Sequence, residues 1–149
     1  MKIVSRIAAV TMAAGLVWGV AATPAAAQSS GQPFSVFATV LRGENEPAGG
    51  DADGIGVAVV KVSPADAQVC YLLVANKLDT VVAAHIHHAP AGVNGPVVIP
   101  LQAPISGFSA ACADISAALA ADLVANPDQY YVNVHTTVFP GGAIRGQLP

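Results

Sequence analysis

Apolar and polar side chains alternate through much of this chain with the two-residue period of a half-buried β-strand. Residues 34–41 (FSVFATVL) alternate around β-branched and aromatic positions and predict a first strand. Runs at 55–62 and 69–74 predict two more, joined across Ser63-Pro64-Ala65-Asp66 as a hairpin or meander. Residues 81–87, 97–101, 130–136 and 143–148 complete about seven strands, separated by Gly-, Pro-, Asn- and Asp-rich turns at 42–53, 90–96 and 139–142. The period changes once. From Asp114, a good N-cap residue, Ile115, Leu119 and Leu123 recur every four residues up to Asn126-Pro127. One short helix is therefore expected near 114–126, ended by the proline. Short strands, mostly neighbours in sequence, predict an all-β fold: an antiparallel Greek-key β-sandwich or barrel.

The pattern at the start of the chain is of another kind. Lys2 and Arg6 precede an unbroken apolar run at 7–20, and Ala25-Ala26-Ala27 stands before Gln28. This order is that of a signal peptide over residues 1–27, leaving 28–149 as a single domain. The apolar run is shorter than the ~20 residues a membrane-spanning helix needs. No cysteine follows it to take a lipid. Secretion or release into a periplasm is expected, with no membrane span after cleavage.

Export changes how the composition is read. The hydrophobic content of 54% is inflated by the leader. Beyond it remain four basic residues (Arg42, Lys61, Lys77 and Arg145) against nine acidic ones, a net charge of about −5. Without a basic cluster, nucleic acid and anionic lipid are poor partners. Cys70 and Cys112 form an even pair in an oxidising compartment, for which a disulfide is the expected state.

All four histidines fall in two of the expected strands, Ala84-His85-Ile86-His87-His88 and Tyr131-Val132-Asn133-Val134-His135-Thr136. Alternation puts His85 and His87 on one face, opposite Ala84 and Ile86. It puts Tyr131, Asn133 and His135 on one face, opposite Val132 and Val134. If the two imidazole faces meet, three or four nitrogens converge. His85, His87 and His135 are candidate metal ligands, with His88 as a fourth, and copper is expected over zinc on intrinsic affinity. The same geometry would serve histidines that only hydrogen-bond the Gly92–Pro96 and Pro140–Gly142 turns, or a catalytic histidine without metal. Arg145 has two readings: attraction of an anion beside the histidines, or a structural salt bridge to Glu44 or Glu46. Asp51 and Asp53 resemble half a calcium loop but lack its later ligands, so a solvated turn is expected. No Gly-x-Ser-x-Gly or similar nucleophile context is present.

Three motifs carry a family resemblance over residues 34–148. They are Leu41-Arg42-Gly43-Glu44-Asn45-Glu46-Pro47; Ala84-His85-Ile86-His87 with Gly92 and Gly95-Pro96-Val97-Val98; and Tyr131-Val132-Asn133-Val134-His135-Thr136 with Gly142 and Arg145-Gly146-Gln147-Leu148. With these the chain resembles the CHRD domain, a module named after chordin and found in secreted bacterial proteins. The resemblance implies an immunoglobulin-like or superoxide-dismutase-like β-sandwich and an extracellular binding role. His88-Ala89 departs from the family pattern, so His88 inherits no role. His-x-His on one strand with a histidine on a later one is also similar, more faintly, to the copper site of copper/zinc superoxide dismutases, though the zinc-binding cluster is missing. Three functions are thus in view. The first is an exported, non-enzymatic module that binds a ligand or protein partner and carries a histidine-based copper site. The others are a copper-only, superoxide-handling redox enzyme and a structural or adhesion module without metal.

Overall fold

The computed structural model describes residues 33–149; the expected signal peptide lies outside them. Eight strands form one antiparallel sheet: β1 (Ser35–Arg42), β2 (Ile55–Ser63), β3 (Gln68–Asn76), β4 (Val81–His88), β5 (Val97–Leu101), β6 (Phe108–Asp114), β7 (Tyr130–Thr136) and β8 (Ile144–Gln147). Their spatial order is β5-β4-β7-β8-β1-β2-β3-β6, curled into a nearly closed barrel. The seam lies between β5 and β6. There the Ser109 hydroxyl donates to the Gln102 carbonyl at 2.8 Å, and the Gln102 amide donates to the Tyr71 hydroxyl at 2.7 Å. The all-β, antiparallel expectation is met, with one helix, α1 (Ala117–Ala125), packed on β2 and β3.

The alternation that predicts the strands also builds the core. Leu41, Val60, Val69, Leu73, Ile86, Ile99, Val132, Val134 and Ile144 all point inward and are at most 1% exposed. From α1, Ala120 and Leu123 complete the cluster. Tyr130 anchors the helix to β7, its hydroxyl donating to Asp122.

Two elements differ from expectation. Strand β6 has no counterpart in the pattern analysis, because FSAACAD is built from small residues with little apolar contrast between its faces. Asp114 is the last residue of β6, paired with Gln68, and does not cap the helix. Ser116 does so, its side chain accepting from the Leu119 amide at 3.1 Å. The ladder reaches beyond Asp114, since the Ile115 amide donates to the Ala67 carbonyl, so the helix starts later. Residues Cys70 and Cys112 face each other across β3 and β6 and are joined by a disulfide.

Candidate metal centre

Strands β4, β7 and β8 carry a second layer of buried side chains, on the outside of the barrel. The register sets His85 opposite Asn133, His87 opposite Tyr131 and Ala83 opposite His135. On the other side of β7, Asn133 faces Arg145 and Tyr131 faces Gln147. These outward positions would be solvated on an open sheet. Here the loops at 89–96 and 137–142 fold over them, leaving Asn133 at 2% and Arg145 at 1% exposure.

Three of the four histidines come together. One ring nitrogen of each of His85, His87 and His135 lies within 4.8 Å of the others. His85 Nδ1 and His135 Nε2 are 3.1 Å apart. Two imidazoles sharing a tetrahedral ion at ~2.0–2.1 Å have nitrogens ~3.3 Å apart, so this edge already has the span of a coordinated pair. His88 does not join the group. It is exposed at the end of β4 and packs on the Tyr130 ring, 4.7 Å between centroids.

The loops fix the ring orientations. His87 Nδ1 donates to the Gly95 carbonyl at 2.9 Å, and His135 Nδ1 donates to the Pro140 carbonyl at 3.0 Å. A carbonyl only accepts, so each Nδ1 carries the proton, and in neutral His87 the Nε2 presents a lone pair. His87 Nε2 is buried and has no hydrogen-bond partner. His135 Nε2 also lies 3.0 Å from the Asn133 side-chain oxygen, Oδ1, and 3.1 Å from His85 Nδ1. Burial, with mutual repulsion from His135 and His87, holds the His85 pKa below its ordinary value. Burial also lowers that of His135; its bond to Pro140 opposes the shift and His87 adds to it. Neutral imidazole is the ligating form.

The Tyr131 ring buttresses the cluster. It stacks on His87 at 4.7 Å with the planes 5° apart, and its hydroxyl accepts the Gly95 amide at 3.2 Å. Arg145 lies over the same ring, its Cζ 3.3 Å from the centroid. The guanidinium is committed to the 89–96 loop through Val93 O at 2.7 Å, Pro90 O at 3.2 Å and Asn94 Oδ1 at 3.3 Å.

The expected salt bridges from Arg145 are therefore not formed. Glu44 is exposed and pairs with Arg42 at 3.9 Å. Glu46 is buried near Arg145 but makes no ion pair with it, and its Oε1 has no hydrogen-bond partner. Burial raises the Glu46 pKa, while the charge of Arg145 and the Asn133 side chain pull it down. Nor does Arg145 offer its charge to solvent, as anion attraction would need. Planar forks satisfy several carbonyls at once, which suits a guanidinium to a loop that turns several backbone oxygens toward it.

Sequence reasoning placed Tyr131 and Asn133 on the histidine face but gave them no task. The expected hydrogen bonds from the histidines to the Gly92–Pro96 and Pro140–Gly142 turns are formed, by His87 to Gly95 and by His135 to Pro140. Asp51 forms a turn, its carboxylate accepting the Gly54 amide at 3.2 Å, but contrary to expectation it is buried and not solvated.

No curated protein and no solved structure matches this chain. The family model for the CHRD domain matches residues 37–148. This span begins within β1 and ends just past β8, so it takes in every strand and every residue of the histidine face. The chain belongs to the CHRD domain family.

Proposed function

We propose that this protein is an exported, non-enzymatic binding module that holds a metal ion, copper in preference to zinc, through His85, His87 and His135. The observation that carries the reading is the buried Nε2 of His87, unpartnered and grouped with two more imidazole nitrogens. Leaving such an atom without a partner costs ~1–3 kcal/mol, and coordination removes that cost. Metal-bound histidines characteristically donate their second nitrogen to a carbonyl or carboxylate, as His87 and His135 do here. Imidazole accepts both copper and zinc, and the intrinsic order of affinities favours copper.

Export is supported by the Cys70–Cys112 disulfide, and among the described residues no helix is long and apolar enough to cross a membrane. The non-enzymatic reading is favoured over a superoxide-handling one because the arginine needed to draw in an anion is buried and fully engaged. A CHRD domain fits a module that binds an extracytoplasmic ligand or protein.

The test is thermal denaturation under titration with Cu(II) and with Zn(II), against a His85→Ala/His87→Ala variant. At one hundred times the dissociation constant, a ligand specific to the native state adds about 2.7 kcal/mol. A rise in Tm is expected for the native sequence, larger with copper, and none for the variant. Equal behaviour of the two proteins would reduce the histidines to scaffold.

A further inference from the structure

Asn133 is 2% exposed, and a buried carboxamide needs partners for its oxygen and for its NH2 group. Its place in the sheet decides what those partners are. Alternation puts it on the same face of β7 as His135, and the register puts it directly opposite His85 on β4. Facing positions on paired strands have Cβ atoms ~4.5–5.5 Å apart, and diagonal ones stay within reach of long side chains. His87 is such a diagonal neighbour. Asn133 therefore borders all three histidines.

Its contact there calls for a cation. Asn133 Oδ1 lies 3.0 Å from His135 Nε2. His135 Nδ1 donates its proton to the Pro140 carbonyl, so in a neutral ring Nε2 has only a lone pair. A carboxamide oxygen also has only lone pairs. The amide is not simply turned the wrong way round. The Asn133 side chain favours the ionised form of Glu46, as only its NH2 end can, and that leaves Oδ1 toward the histidines. Two acceptors this close are held together by a positive charge between them. A second proton on His135 would serve that one pair and leave the buried His87 Nε2 without a partner. A metal ion serves the oxygen and the nitrogens together, and His85 Nδ1 stands 3.1 Å from the same His135 atom.

We propose that Asn133 Oδ1 is the fourth ligand of the metal centre, closing three imidazole nitrogens and one oxygen around the ion. The inference rests on the metal reading given above and adds what the ion does there. A site with three protein ligands keeps a position for water or substrate, whereas one with four is closed. The ion then has no place for a reacting molecule; it ties β4 to β7 beneath the loops. A carboxamide oxygen is a hard donor, which with imidazole suits a divalent ion, while soft sulfur ligands select Cu(I). The donor set therefore favours Cu(II) over Cu(I).

The test is competitive Cu(II) titration at fixed pH, with absorption and electron paramagnetic resonance spectra of the loaded protein before and after azide is added. The native spectra are expected not to respond to azide. Asn133→Leu is similar in size but has no donor atom. It is expected to bind Cu(II) at least about ten-fold more weakly, the usual cost of losing a partner of such a site, and to gain an azide-to-copper charge-transfer band. Asn133→Asp keeps the oxygen and adds a charge, so it is expected to bind more tightly than the native protein and to stay closed to azide. An Asn133→Asp variant that binds more weakly overturns the proposal, since the NH2 group would then be what the site uses. Equal affinity and equal spectra for the native protein and Asn133→Leu overturn it while leaving the metal reading in place. Azide binding by the native protein also overturns it, and decides alone if neither variant folds. A native protein that binds no copper removes both readings.

Discussion

His85 and His135 resist protonation, and the direction of that resistance fixes how the metal-free protein responds to acid. Both rings have pKa values below the ordinary 6.5, chiefly through burial. As pH falls through about 6.5 the unfolded chain takes up protons that the folded rings refuse, so the unfolded state gains. Stability attributable to this pair is full above that pH, and falls until the depressed folded pKa values are passed. In EDTA, the Tm of the native sequence is expected to drop between pH 7.5 and 5 more steeply than that of a His85→Asn/His135→Asn variant. Calorimetry on the two proteins checks this, and parallel curves would show that the rings are solvated. Metal binding draws on the same equilibrium: protons compete with the ion, so affinity is expected to weaken over the same range.

At the level of elements, the loop between β4 and β5 gives the strands their chemistry. Strand alternation brings His87 to the outer face, but its ring is oriented by a carbonyl eight residues later. A Cβ added at Gly95 would collide with the His88 carbonyl, so the loop backbone sits directly on the strand it follows. Gly95→Ala is expected to push that loop outward and lower copper affinity about 10–100-fold, the usual cost of losing a histidine's second hydrogen bond. Calorimetric titration measures it; an unchanged affinity would show that the carbonyl is not what aims His87.

The same contrast explains what could be read beforehand. Positions 84–87 and 131–135 alternate clearly because one side faces a core, and that contrast assigned the histidines to one side. Strand β6 escaped notice because alanine and serine are nearly indifferent to which side they face. Arg145 lies on the expected strand, but it meets neither of the two expected partners, a solution anion or the carboxylate of Glu44 or Glu46. Its true acceptors are mostly backbone oxygens, which every residue possesses and no residue type announces.

For the molecule as a whole, the Cys70–Cys112 disulfide holds edge strand β6 to β3. It closes a loop with a sequence separation of 42. On the loop-entropy model this is worth about 4 kcal/mol, a large part of the stability of an ordinary domain. A Cys70→Ser/Cys112→Ser variant is expected to lose most of that amount in urea denaturation, read by fluorescence. A loss below about 1 kcal/mol would mean that the ladder holds β6 unaided.

β8 is the shortest strand of the barrel and follows the other described strands in chain order. Strands β1, β2, β3 and β6 pair among themselves, and so do β4, β5 and β7. Among the described strands, only β8 pairs with both groups. Before β8 is added the two groups of strands are joined through the seam bonds at Gln102 and through α1, which packs on β2 and β3 and is tied to β7 by Tyr130. Arg145 arrives with β8 and gathers the loop that roofs the histidines. The arrangement of the histidine face thus waits on β8: a chain without that strand has its histidines, yet no barrel wall or Arg145 to hold the loop over them.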